Sequence, residues 1–210
     1  MKIGSILTRG RLAILLIVAI LLIDQLIKVW VKTNMCLHES IHVYDWFYIT
    51  FIENNGMAYG MQLGSKLLLS LFRVVAIGAL AYYLWLQVRA KARIGYIVCL
   101  SMVLAGAAGN LIDCMFYGLV FDASAVHHVS SFVDFGSGYA SFLMGKVVDM
   151  FYFPLIVTTW PDWVPYWGGE EFIFFSPVFN FADASISVSV VLLLLFYRKE
   201  ISDISFKRRE

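Results

Sequence analysis

The stretch LAILLIVAILLIDQLIKVWV, residues 12–31, contains no Gly or Pro and no polar side chain in its first twelve positions. At 1.5 Å rise per residue, twenty such residues reach about 30 Å, the thickness of a bilayer's hydrocarbon core. Yet Asp24, Gln25 and Lys28 interrupt it. An ionisable group inside a span costs about 2.5–3.5 kcal/mol on insertion scales, so each one calls for a partner or a task. Asp24 and Lys28 are one helical turn apart and can pair with each other, which reads as an ion pair fixing helix packing. This segment therefore predicts both a membrane fold and a polar centre inside it.

The rest of the chain agrees. Hydrophobic residues make up 60% and charged residues 15% of the 210 positions, and the mean hydropathy is +0.77. A soluble domain carries about 25% charged residues, so a water-facing surface is excluded. Three further stretches reach spanning length, at residues 67–87, 94–120 and 178–197. The start MKIGSILTRGR suits the basic end of a signal peptide. No small-x-small cleavage site follows, however, so the first span is read as a retained helix. Basic residues cluster before the first span (Lys2, Arg9, Arg11), between the second and third (Arg89, Lys91, Arg93) and after the fourth (Arg198, Lys199, Lys207, Arg208, Arg209). With four spans these clusters share one face, which the positive-inside rule makes cytoplasmic. Residues 32–66 and 121–177 are then outside.

The outer pieces have their own character. IHVYDWFYITFIENNGMAYG mixes β-branched and aromatic residues and bends at Asn54–Gly56, reading as a short strand-like element and a turn. VVDMFYFPLIV is too short to cross and is broken by Pro154; it reads as an interfacial segment against the outer leaflet. Trp160, Trp163, Tyr166 and Trp167 suit the headgroup level. His127 and His128 are adjacent without a second ligand motif, so no metal site is expected. Cys36, Cys99 and Cys114 make no disulfide framework.

Depth sorts the acids. Asp24 lies about 18 Å along the first helix from its inner end, Asp113 about 28 Å along the third, and Asp183 about 7 Å from the outer end of the fourth. Asp149 sits in the outer interfacial segment. Four carboxylates from four segments thus converge on one level near the outer side. Asn110 and Asp113, like Asn180 and Asp183, are three apart and share a helix face, where an amide can orient a carboxylate. Two carboxylates held close share a proton, the arrangement by which aspartic proteases activate water and polarise a carbonyl. No G-x-S-x-G, H-E-x-x-H or P-loop is present. The spacing alone does not say which two acids react. It also leaves open a proton-coupled carrier, or a structural membrane protein that uses Asn/Asp pairs to join helices.

Five motifs in order narrow the choice. The first helix carries D-Q-x-x-K (Asp24, Gln25, Lys28), and the outer turn N-x-G-x-A-[FY] (Asn54, Gly56, Ala58, Tyr59). The third helix carries G-x-x-G-N-x-x-D (Gly106, Gly109, Asn110, Asp113). V-V-D ends at Asp149 and F-N-x-A-D ends at Asp183. Distributed over nearly the whole chain, they resemble bacterial lipoprotein signal peptidase, also called signal peptidase II. The resemblance implies an aspartic endopeptidase that cleaves prolipoproteins before a diacylglyceryl-modified cysteine, with Asp149 and Asp183 as the catalytic dyad. Asn54, Gly56, Asn110, Asp113, Asn180, Asp24 and Lys28 would shape the site. It implies one integral domain over residues 1–210: an all-α bundle of four membrane helices, with a small β-rich cradle and an interfacial helix on the outer side. No metal or organic cofactor is expected, nor any nucleic acid; the partners would be the lipid-modified substrate and membrane lipids, and nothing demands more than a monomer. The location would be the bacterial cytoplasmic (inner) membrane. Two features depart from the family pattern. Cys114 stands where an arginine usually follows the aspartate, leaving Arg73 or Lys146 to offset Asp113. Residues 121–145 look like an insertion, a lid or an ornament of the lineage, and read more readily as the ornament.

Overall fold

The structure, a computed structural model, describes residues 3–55 and 65–202, with side chains from Thr8 onward. Gly56, Ala58 and Tyr59 of the outer turn lie outside the described residues. Helix α1 (Ile3–Asn34) is followed by strands β1 (Ser40–Tyr44) and β2 (Phe47–Asn54), then helix α2 (Lys66–Arg89). Helix α3 (Ile94–Val120) contains a π-helical turn at Asp113–Tyr117. Strands β3 (Val147–Tyr152), β4 (Ile156–Thr159) and β5 (Glu171–Phe174) precede helices α4 (Phe181–Phe196) and α5 (Arg198–Ser202).

Among the described residues, three helical stretches are long and apolar enough to cross a membrane: Thr8–Asn34, Lys66–Arg89 and Ile94–Val120. Their outer faces leave Leu15, Leu26, Phe72 and Val75 more than 60% exposed, a surface suited to hydrocarbon. The fourth apolar stretch, expected over 178–197, is a shorter helix that starts later. Asn180 caps it: its side chain accepts from Asp183 N, and the Asp183 side chain accepts from Asn180 N. This capping box stops the helix three residues inside the apolar run.

The reading of VVDMFYFPLIV as an interfacial segment is corrected. Residues 147–152 form β3, paired antiparallel with β2 in a sheet of order β1-β2-β3. Its free edge joins the approach to α4, where Phe151 N donates to Phe179 O at 2.7 Å and Phe179 N donates to Phe151 O at 3.0 Å. Val147 to Met150 are buried on both faces, so the strand lacks the alternation that would announce it. No helix occurs among residues 121–177; β4 and β5 form a separate two-stranded hairpin.

Two apolar cores flank a polar layer. Ala13, Tyr96, Leu100 and Leu193 belong to one; Val31, Phe51, Tyr117, Val148 and Met150 to the other. Between them along α1 and α3 lie Asp24, Lys28 and Asp113, all fully buried. The G-x-x-G of α3 allows this layer to close. A Cβ on Gly106 would run into the Ala182 carbonyl and Ile186, and one on Gly109 would crowd the Asp24 carboxylate. Small residues let membrane helices approach backbone to backbone. Gly106→Ala is accordingly expected to destabilise the protein by about 1–3 kcal/mol, the usual cost of overpacking. Melting of the purified variant in detergent checks this, and an unchanged melting temperature would contradict the packing described.

Candidate active site

Each polar residue reaches the layer for a local reason. On α1, Asp24 and Lys28 stack one turn apart. On α3, Asn110 and Asp113 share a face, the latter opening the π turn; such turns often mark functional positions. Asn180 and Asp183 form the cap of α4. Asp149 projects from β3 and Asn54 closes β2.

Lys28 is the hub of one cluster. Its three ammonium protons meet three acceptors: Asp113 Oδ2 at 2.8 Å, Asn110 Oδ1 at 2.9 Å and Asp24 Oδ2 at 3.0 Å. Each of those acids also holds a backbone group. Asp24 Oδ1 accepts from Ala182 N at 3.0 Å, in the first turn of α4, and Asp113 Oδ2 accepts from Val148 N at 3.3 Å, in β3. Gln25 closes the cluster by donating to Asp113 Oδ1 at 2.9 Å and to Asp24 Oδ2 at 3.1 Å. It accepts from the Tyr117 hydroxyl at 3.1 Å. A buried ion pair with every donor used is a frame; removing one partner leaves an uncompensated charge.

The second cluster holds the other two acids. Asn180 Nδ2 donates to Asp149 Oδ1 at 2.7 Å and to Asn110 Oδ1 at 3.0 Å. Asn110 Nδ2 donates to Asp183 Oδ1 at 2.7 Å. Asn54 Nδ2 donates to Asp149 Oδ2 at 3.1 Å. Burial first, and the neighbouring Asp183 charge second, push the Asp149 carboxyl up to about 7; the bonds from Asn54 and Asn180 act in the opposite direction. A carboxyl in this state keeps its proton near neutral pH beside another acid, which is the electrostatic condition for paired acid and base work.

The structure thus divides the four convergent carboxylates. Asp24 and Asp113 share Lys28, while Asp149 and Asp183 are linked through Asn110 and Asn180. The charge of Asp113 is met by Lys28. Arg73 donates to Cys114 Sγ at 3.5 Å, and Lys146 pairs with Glu53 at 2.8 Å. His128, one of the adjacent histidines, contacts Asp122 at 3.0 Å. Sequence reasoning named Gln25 only within the D-Q-x-x-K motif, without a role, and did not single out Tyr117 or the backbone donors of Val148 and Ala182. The bonds of Gln25 to both acids follow from its place beside Asp24 in an apolar helix; the backbone groups carry no sequence signal.

The family model for signal peptidase (SPase) II matches residues 16–198. The chain belongs to the signal peptidase II family. Signal peptidase II relatives include a lipoprotein signal peptidase of Porphyromonas gingivalis, 50% identical over 199 residues, 94% of this chain and 88% of that protein. A lipoprotein signal peptidase of Amoebophilus asiaticus is 34% identical over 85% of this chain and 74% of its own. A bacterial membrane enzyme solved by the in meso method at 2.3 Å is similar in fold. Its TM-score is 0.59 at 24% identity, covering 100% of this chain and 97% of that one. As a signal peptidase II member the chain is a membrane-embedded peptidase, and the polar layer is where its chemistry is to be sought.

Proposed function

We propose that this peptidase removes the signal peptide from prolipoproteins by cutting before a diacylglyceryl-modified cysteine, with Asp149 and Asp183 as its aspartic dyad. The observation that carries the assignment is the pair itself: two acids from separate elements wired through Asn180 and Asn110, one of them holding a proton to about pH 7. In this mechanism Asp183 takes a proton from the attacking water while protonated Asp149 donates to the scissile carbonyl oxygen. The tetrahedral intermediate collapses as Asp183 passes the proton it took to the amide nitrogen, the C–N bond breaks, and a hydroxyl of the intermediate returns a proton to Asp149. Asn54 and Asn180 hold Asp149 from both oxygens, and Asn110 holds Asp183.

The proposed topology has four membrane helices, α4 being the fourth, with both termini cytoplasmic and the dyad toward the outer side. The three basic clusters at helix ends support it. The substrate's acyl chains would enter laterally between helices from the bilayer, and one copy of the chain would suffice. The direct test is mass spectrometry of a lipidated precursor incubated with pure protein. A released signal peptide and a new N-terminal lipid-bearing cysteine are expected; an intact precursor would refute the reading.

The pH profile follows from Asp149. The acid form is needed for turnover and is present below about pH 7. kcat/KM is therefore expected to fall tenfold per unit as pH rises above that value. A profile flat to pH 9 would remove Asp149 from the acid role.

A further inference from the structure

Apart from the dyad and the Lys28 hub, a second cluster of charges surrounds Glu53. Its carboxylate accepts from Lys32 Nζ at 2.6 Å, from Lys146 Nζ at 2.8 Å and from Ser124 Oγ at 2.9 Å. Lys32 Nζ also donates to Ser124 Oγ at 2.8 Å. Lys32 is fully buried, and its ammonium lies over the rings of Phe51, Phe121 and Tyr139 at 5.0–5.9 Å from their centres. The Tyr139 hydroxyl accepts from Lys146 N at 2.7 Å. Burial pushes the Glu53 carboxyl up, but the two lysines pull it net below the ordinary carboxylate range, so it stays ionised at neutral pH. Both ends of the 121–146 segment, Ser124 and Lys146, are thereby fastened to one residue of β2.

That residue stands next to Asn54. Glu53 pairs across the sheet with Val148 and Asn54 with Val147, while the β2–β3 register slips between Ile49 and Ile52. The regular ladder upstream therefore does not by itself fix where β2 ends. Three ladder pairs beyond the slip and the three-donor clamp on Glu53 together hold that end, one residue before the amide that bonds Asp149.

We infer that Glu53 is a positioning residue. By holding Lys32, Ser124 and Lys146 it fixes the end of β2 so that Asn54 stays on Asp149, and it makes the 121–146 segment a strut of the reactive site. The inference rests on the dyad assignment above and deepens it.

The experiment is a pair of double-mutant cycles. Glu53→Gln and Ser124→Ala are each made alone and together with Asn54→Ala, and kcat, KM and the alkaline limb are measured on a lipidated precursor. Each single change is expected to lower kcat about tenfold, the worth of one hydrogen bond to a charged group, with KM nearly unmoved. Each should also move the alkaline limb upward by up to about one pH unit, because the ionised form of Asp149 loses a donor. In the Asn54→Ala background neither change should add more than about twofold. Ser124→Ala keeps the Lys32–Glu53 pair and serves if Glu53→Gln fails to fold. Additive losses, or a limb that stays in place while kcat falls, would overturn the positioning role. Turnover retained in Asp149→Asn would instead overturn the dyad, and this inference with it.

Discussion

Asp149→Asn and Asp183→Asn, made separately, are each expected to cut turnover of a lipid-modified prolipoprotein by about 10²–10⁴-fold, the usual worth of one positioned acid or base. The substitutions are nearly isosteric, so substrate binding should survive. They are not electrostatically innocent, because both oxygens of Asp149 accept from amide donors. An amide NH₂ at that position must face one of those donors. A melting control settles whether loss of activity is loss of fold, and its pH dependence has a definite sign. The Asp149 carboxyl sits at about 7 in the folded protein against an ordinary 3.8. Between those values the folded chain binds a proton that the unfolded chain has released, so stability falls as pH rises through that window. Asp149→Asn has no such penalty. Its melting temperature relative to the parent should therefore improve from pH 4 to pH 8. Substantial turnover in either variant would end the dyad assignment.

Lys28→Met should produce the largest loss of stability. Its ammonium is fully buried and saturated by Asp113, Asn110 and Asp24. Removing it leaves two carboxylates facing one another without a cation, and breaking a buried pair in this way costs about 3–5 kcal/mol. Those acids hold the β3 backbone at Val148 and the α4 backbone at Ala182, so the two elements bearing Asp149 and Asp183 should lose their mutual position. Activity should fall with stability. Lys28→Arg should not rescue, since a planar fork cannot reproduce three converging bonds from a single nitrogen. The triple variant Lys28→Met, Asp24→Asn, Asp113→Asn should regain much of the stability, because it removes the charges together. Thermal unfolding in detergent reads all three; a Lys28→Met shift within about 2 °C of the parent would refute the hub role.

How much of this was legible depended on whether the partner was near in sequence. The ends of α3 could be placed near residues 94 and 120 because the apolar run lies between Arg93 and Asp122. The Asp24–Lys28 pair followed from one turn of helix, whereas the Asn–Asp spacing of three did not give the partners: Asn110 Nδ2 donates to Asp183 and Asn180 Nδ2 to Asp149, with Asn180 capping α4 from outside the helix. Strand β3 was missed because a strand buried on both faces shows the unbroken apolar run of an interfacial segment. The late start of α4 depended on a cap whose two halves, Asn180 and Asp183, had been read for their chemistry. Convergence of four acids was visible from depth alone, but their division was not: it turns on which oxygens Lys28 reaches across to α3. Glu53 gave no signal at all. Its partners lie 21, 71 and 93 residues away, and Lys32 at a helix end has the pattern of a side chain reaching for the headgroups.

Helix α4 has 16 residues and is therefore about 24 Å long, where a hydrocarbon core is about 30 Å thick. In the proposed topology its first turn, with Asn180 and Asp183, sits below the level the outer leaflet would otherwise keep. The bilayer thins to meet it or the site opens beneath the acyl boundary. A substrate anchored in that leaflet would present its bonds at heights set by the anchor, and in the proposed topology the short helix would set the depth at which the dyad meets them.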